Sequence, residues 1–146
     1  MCGFFGLQSY ELDTSEKIAA SRNAIKILNS RGPDSNGTVL DDDNNLVFCH
    51  NRLSILDLSP TGNQPMKSYS GNLLIVFNGE IYNHISIREE LKNSNNFISW
   101  KGTSDTETLI QAVEIWGLEK TLQKINGMFS FAIWNKVSKN LYLARD

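Results

Sequence analysis

The residues best placed to do chemistry come first in the chain. Cys2 follows Met1, so loss of the initiator methionine would leave one residue carrying both a thiol nucleophile and a free α-amine. An α-amine has a pKa of roughly 7.7–8.0, so part of it is free base near neutral pH. A thiol beside such a base is a complete proton-transfer pair. Position alone does not establish this role, because any residue can follow Met1. Arg52, the pair Asn78-Gly79 and Asp105 are polar groups at strand or helix ends that such a nucleophile could use. Each also has a plain structural reading: a strand-edge charge, a hairpin turn and an acid complementing the first turn of a helix.

Other chemistries find less support. A metal site needs His, Cys or carboxylates at ligand spacing, whereas His50 and His84 lie far apart in different predicted elements. His50 reads as a strand residue with a satisfied hydrogen bond. No phosphate-cradling glycine loop of the Walker or dinucleotide type is present, and nothing resembles a nucleophile elbow. The acidic run Asp41-Asp42-Asp43-Asn44-Asn45 reads as a solvated hairpin loop. Cys49 closes the apolar run Leu46-Val47-Phe48-Cys49 and reads as a small buried hydrophobe.

The elements that must position these groups follow from periodicity and caps. Residues 2–10 read as a buried strand whose glycines permit close backbone approach. Asp13 and Glu16 have the spacing of a capping box. They open a predicted helix to about Asn29, with Ile18, Ala24, Ile25 and Leu28 inward. Arg31-Gly32-Pro33-Asp34 breaks it. Strands are expected at Leu46–His50 and Arg52–Ile55, then a loop over Ser59–Pro65. Leu73–Phe77 is a continuous apolar run, hence a central strand buried on both faces that delivers Asn78-Gly79-Glu80.

A short helix is predicted over Ile85–Asn93 with Ile87 and Leu91 inward. Ser104 and Glu107 suggest a second capping box, opening a helix with Leu109, Ile110, Val113 and Trp116 on one side. Leu118–Ile125 continues as helix beyond Gly117. Met128–Trp134 and Leu141–Arg145 form a hairpin. Strands and helices in mixed order, several strands joined as hairpins, favour an α+β layered domain over a doubly wound parallel sheet.

With 146 residues, 40% hydrophobic and 21% charged, the chain fits one globular domain. A net charge of −2 gives no electrostatic reason to expect nucleic acid or an anionic membrane. No apolar run approaches the ~20 residues of a transmembrane helix, and no secretory signal is visible. Two cysteines suit a reducing cytoplasm. The strand-like ending Leu141–Asp146, with no following turn, reads as a fragment of a longer protein.

Taken together, several strings in one order are more specific than any single residue. They are Met1-Cys2-Gly3, Arg31-Gly32-Pro33-Asp34, Arg52-Leu53-Ser54-Ile55, Asn78-Gly79-Glu80-Ile81-Tyr82-Asn83, Ser104-Asp105-Thr106-Glu107, Gly127-Met128-Phe129-Ser130-Phe131-Ala132 and Ala144-Arg145-Asp146. Over residues 1–146 the chain resembles the glutaminase domain of class II glutamine amidotransferases, the N-terminal-nucleophile hydrolase type. Pro33 and the Asn78–Asn83 string resemble the glutamine-hydrolysing asparagine synthetase branch.

The resemblance implies a four-layer αββα sandwich, truncated at its C-terminal end, with the synthetase domain absent from this chain. It assigns Cys2 as nucleophile, with its own α-amine as base. The oxyanion falls to the Asn78 side chain and the Gly79 N–H, where a side chain at position 79 would crowd the substrate. Arg52 resembles the clamp on a glutamine α-carboxylate and Asp105 the counter-ion of its α-ammonium. Backbone groups of Leu53 and Ile55, together with Glu80, resemble further glutamine contacts. No metal and no cofactor are implied in this domain; ATP and magnesium belong to the synthetase domain. The implied partners are L-glutamine and a synthetase domain in the same full-length protein, with a homodimer among the assemblies left open.

Three functional classes remain. The first hydrolyses glutamine and passes ammonia on, for asparagine synthesis from aspartate or for another acceptor such as a sugar or secondary metabolite. An N-terminal-cysteine acylase shares the nucleophile but has no use for both Arg52 and Asp105. A non-catalytic glutamine-binding module is the third; a retained Met1 favours it, because the α-amine then no longer sits on Cys2.

Overall fold

The computed structural model describes residues 2–41, 43, 45–93 and 98–146. Strand β1 (Gly3–Gln8) is followed by helix α1 (Thr14–Leu28), then β2 (Ser35–Asp41) and β3 (Leu46–Arg52). The chain continues with β4 (Met66–Lys67), β5 (Leu73–Ile81), α2 (His84–Asn93), α3 (Asp105–Trp116), α4 (Leu118–Lys124), β6 (Gly127–Asn135) and β7 (Asn140–Arg145). Two antiparallel sheets result, ordered β1-β3-β2 and β4-β5-β6-β7.

Period-2 alternation sorts these strands into layers. Leu46 and Phe48 of β3 pack with Leu74 and Val76 of β5 and Ala132 and Trp134 of β6, forming the apolar seam between the sheets. The odd residues Ile75 and Phe77 of β5 turn the other way, into a core shared with Leu109, Ile110 and Val113 of α3 and Ile87 and Leu91 of α2. On the far side Cys49 faces α1, its thiol donating to the Ser21 carbonyl at 3.7 Å. Helix, sheet, sheet and helices therefore stack as an αββα sandwich, the expected α+β architecture.

Local chemistry accounts for the helix ends. The Asp13 carboxylate accepts from the Glu16 N–H and the Glu16 carboxylate from the Asp13 N–H, both at 2.9 Å, a complete capping box. At α3, Ser104 Oγ accepts from the Glu107 N–H at 3.2 Å, but the reciprocal half is missing. The Glu107 carboxylate instead accepts from the Lys101 and Gly102 N–H groups and pairs with Arg88 at 3.1 Å. A half-buried guanidinium outcompetes the cap backbone for that carboxylate.

Some expectations need correction. The deepest residues of α1 are Lys17 and Ser21, while Ile18, Ala24, Ile25 and Leu28 are only half-buried; the Lys17 ammonium is taken up by Asn45 Oδ1 at 2.8 Å. Strand β3 runs unbroken through His50 and Asn51, and no second strand covers Leu53–Ile55. There the Leu53 N–H donates to the Cys2 sulfur at 3.3 Å and the Ser54 N–H to Asp34 at 2.8 Å, so these backbone groups have no sheet partner. The predicted Asp41–Asn45 loop connects β2 to β3, with Asn45 at φ +54°; Asp42 and Asn44 lie outside the described residues.

Beneath the site a buried polar contact joins the two sheets. His50 is fully buried, and its Nε2–H donates to the Phe77 carbonyl at 3.0 Å, while Nδ1 has no partner among the described residues. Burial pushes the imidazole pKa down to about 4, against the opposing effect of the Phe77 hydrogen bond. Between that value and the ordinary 6.5, the unfolded chain binds a proton that the folded chain refuses. Stability attributable to His50 should therefore be lost as pH falls from about 6.5 towards about 4, by on the order of 3 kcal/mol. Denaturant midpoints compared between about pH 7.5 and about pH 4 test this. His50→Asn should flatten the dependence, and an unchanged pH dependence in that variant would contradict the assignment.

Candidate active site

Antiparallel pairing of β1 with β3 places Gly3 opposite Asn51, so Cys2 lies beside the end of β3, next to Arg52 and Leu53. The β5 strand crosses from the other sheet and brings Asn78, Gly79 and Glu80 to the same end. The turn that starts α3 supplies Asp105. Cys2, Arg52, Leu53, Ile55, Asn78, Gly79, Glu80 and Asp105 all line one cavity of about 260 Å³, a volume suited to a single small molecule rather than a polymer.

The thiol is fixed by main chain. Leu53 donates its N–H to Cys2 Sγ at 3.3 Å, and Sγ–H reaches the Leu53 carbonyl at 3.6 Å. Arg31 Nε donates to the Cys2 carbonyl at 3.0 Å. Cys2 is half-buried, whereas Cys49 is fully buried and its thiol is pushed up to about 11 by desolvation. Only Cys2 combines access with a cavity.

The backbone of β5 carries the next feature. Where β4 ends, side chains take over the edge of β5: Gln64 Oε1 accepts from the Phe77 N–H, and Asp105 Oδ2 from the Ile81 N–H at 2.9 Å. Alternation puts the Gly79 N–H on that same edge, between them, and no side chain among the described residues accepts from it. Asn78 buries Oδ1 without a partner among the described residues, leaving the Nδ2 end of its carboxamide for the cavity. An amide donor and a backbone donor thus sit side by side, within the cavity that holds the thiol.

Gly79 has φ +152°, and a Cβ there would lie 2.2 Å from the Met128 carbonyl and 2.6 Å from Phe129 Cα. The glycine is required by the neighbouring strand β6, a constraint separate from the expected crowding of a substrate.

Charge is arranged asymmetrically. Arg52 is buried; its Nη1 donates to the Ser59 carbonyl at 2.8 Å and Asn63 Oδ1 at 2.9 Å, and its Nη2 donates to the Asp57 carbonyl. A guanidinium has five donors, so capacity remains for a planar anion. The Asp105 carboxylate accepts from the Ile81 and Thr106 N–H groups. Burial nevertheless raises its pKa above the ordinary carboxylate value, with Glu80 adding to the rise and those hydrogen bonds and His84 opposing it. A desolvated acid of this kind gains from a cationic partner.

The structure also places residues that sequence reasoning did not single out. Asp57 and Gln64 line the cavity wall and are buried. A signal was available at Asp57-Leu58-Ser59-Pro60, since Ser before Pro marks a helical turn, and a short 3-10 turn does start at Pro60. Gln64 carried none. Among the described residues no cluster of His, Cys and carboxylates could hold a metal ion, and no helix is long and apolar enough to cross a membrane.

The layers and the cysteine heading β1 define a class. Glutamine phosphoribosylpyrophosphate amidotransferase from Bacillus subtilis, solved with ADP and GMP, superposes with a TM-score of 0.53 at 18% identity, covering 68% of this chain and 23% of that one. The fold is that of the N-terminal-nucleophile hydrolases. Residues 1–146 match the glutamine amidotransferase domain family, and the chain belongs to that family. Asparagine synthetase [glutamine-hydrolyzing] 1 of Bacillus subtilis is 39% identical over 150 residues, which takes in 100% of this chain and 22% of that protein. Amidase chry2 of Gibberella zeae is 32% identical, covering 92% of this chain and 19% of the relative. The chain thus spans about a fifth of the length of these curated relatives.

Gly79→Ala should lower stability by about 1–3 kcal/mol, from the strained φ and the displaced β6 carbonyl. Urea unfolding reads this directly. A midpoint equal to that of the parent would contradict the packing described.

Proposed function

We propose that the domain hydrolyses L-glutamine to L-glutamate and ammonia. The observation that carries this reading is the meeting, in one small cavity, of the Cys2 thiol, the Asn78-Gly79 donor pair and two opposite charges, Arg52 and Asp105. A free α-amino acid is a zwitterion, and one cation plus one anion in a confined wall match it. A peptide-bound amide lacks both charges.

Each step follows from these groups. Once Met1 is removed, the Cys2 α-amine takes the thiol proton as sulfur attacks the side-chain carboxamide carbon. The tetrahedral oxyanion is held by Asn78 Nδ2 and the Gly79 N–H, donors of a kind each worth ~10²–10³ in rate. Collapse breaks the C–N bond, and the α-ammonium returns its proton to the departing ammonia. Water then attacks the thioester with the same amine as base, releasing glutamate and restoring the thiol. Arg52 holds the α-carboxylate, bidentately where lysine could not, and Asp105 the α-ammonium. The main chain at Leu53 and Ile55, and Glu80, complete the wall. No metal or cofactor is called for in this domain.

The relatives named asparagine synthetase support asparagine synthesis as the use of the ammonia; on this reading the acceptor is aspartate, activated with ATP and magnesium by a synthetase domain in the same full-length protein. The similarity to an amidase keeps other acceptors in view. A reducing cytoplasm suits a working thiol.

Incubation of the full-length protein with glutamine should yield glutamate, and Cys2→Ala should abolish it. Activity that survives this substitution would overturn the proposal, and glutamine binding without glutamate formation would favour the binding module. Glutamine affinity should also weaken on acidification. Protonation of Asp105 removes the counter-ion, and its raised pKa moves that loss above the ordinary carboxylate range. Asp105→Asn should have a high KM that varies little over the same interval; a KM that still rises as in the parent would exclude Asp105 as the titrating group.

A further inference from the structure

Arg52 and Asp105 come from different layers, yet a zwitterion can bridge them only if their separation is fixed. One buried side chain touches the surroundings of both. The Asp57 carbonyl accepts from Arg52 Nη2. Its carboxylate Oδ1 accepts from the Ser59 N–H at 2.9 Å and the Ser59 hydroxyl at 2.6 Å, closing the turn whose Ser59 carbonyl takes Arg52 Nη1. Its other oxygen, Oδ2, accepts from the Thr103 N–H at 2.9 Å, two residues before Asp105.

The segment around Thr103 is pinned from its other flank by Arg88, which donates to the Gly102 carbonyl at 2.8 Å and the Ser104 carbonyl at 3.0 Å and stacks 4.1 Å over Trp100. There is no slack at this junction. A Cβ on Gly102 would lie 2.5 Å from Asp57 Oδ2 and 2.3 Å from Thr61 Oγ1. Burial opposes the Asp57 charge, but the Ser59, Thr103 and Thr61 donors outweigh it and hold the carboxyl well below the usual carboxylate range. The group stays anionic and fully engaged at any working pH, so it serves as a joint and not as an acid or base.

We propose that Asp57 is a positioning residue for amino-acid recognition. Through its carbonyl on Arg52 and its carboxylate on Thr103, it sets the spacing between the cation that takes an α-carboxylate and the anion that takes an α-ammonium. This rests on the glutamine reading above, and it names what selects a free α-amino acid within that reading. Asp57 does not touch the reacting atoms; it acts through Arg52 and Asp105.

Asp57→Asn isolates the joint. The amide can keep its oxygen on Ser59, but its NH₂ then meets the Thr103 N–H, donor against donor. Gly102→Ala wedges the same junction open while leaving Asp57 intact, so the test survives if either variant fails to fold. In the full-length protein, initial rates are measured with glutamine and with glutaminamide, which lacks the α-carboxylate.

Each variant should raise the glutamine KM by about tenfold, the scale of one lost charged hydrogen bond, with kcat within about threefold of the parent. The preference for glutamine over glutaminamide should shrink by a similar factor. Folded variants with unchanged KM and unchanged preference, in a protein whose parent hydrolyses glutamine, would overturn this inference alone. So would an equal fall in kcat on both substrates, the mark of a merely structural role. A parent that forms no glutamate from glutamine would overturn the functional reading and this inference with it.

Discussion

The site exists because two sheets are held face to face at one register. Cys2 heads the strand β1 and Arg52 ends β3 in one sheet, Asn78 and Gly79 lie together on β5 of the other, and these three places are far apart in sequence. The seam of Leu46, Phe48, Leu74, Val76 and Trp134 supplies the adhesion, at roughly 25 cal/mol per Å² of apolar surface removed from water. Apolar packing is non-directional, however, and a slide of one strand residue would turn Asn78 away from the thiol. The contact from His50 to the Phe77 carbonyl is directional and desolvated. It locks the residue immediately before Asn78 against the strand that ends in Arg52.

Around that frame, main-chain groups do most of the positioning. The thiol rests on the Leu53 backbone, Asp105 on two backbone N–H groups, and Arg52 on carbonyls of the 57–59 turn. Backbone dipoles held by surrounding structure need little reorganisation when charge develops. Gly79 shows the constraint most sharply, since the conformation that places its N–H on the open edge of β5 leaves no room for a Cβ beneath the β6 carbonyl. On the proposed reading, recognition and oxyanion stabilisation are therefore properties of strand ends and turns, with few side chains committed to each.

Much of this was legible in the residues themselves. The Asp13–Glu16 cap, the double-sided burial of Leu73–Phe77 and the ordered strings around Cys2, Arg52, Asn78 and Asp105 pointed to the layers and to the cavity wall. What was not legible depended on partners far away in sequence. Leu53–Ile55 has strand composition but leaves the sheet, with the Leu53 N–H on the Cys2 sulfur and the Ser54 N–H on Asp34. Glu107 has capping-box spacing but is claimed by Arg88. Lys17 sits on the inner face of α1 because Asn45 receives its ammonium. Asp57 and Gln64 look like ordinary loop residues until the fold sets Thr103 and the Phe77 N–H beside them. Propensity and periodicity carry no information about such contacts.

The central claim is that Cys2, and not Cys49, is an accessible nucleophile inside a cavity that recognises free glutamine. It is tested most directly by treating the full-length protein with an electrophilic ketone analogue of glutamine and locating the adduct by peptide mass spectrometry. One equivalent of label should appear on Cys2, on a terminus lacking Met1, and excess glutamine should suppress it. No adduct, label on Cys49, or labelling of Cys2 that glutamine leaves unchanged would contradict the account.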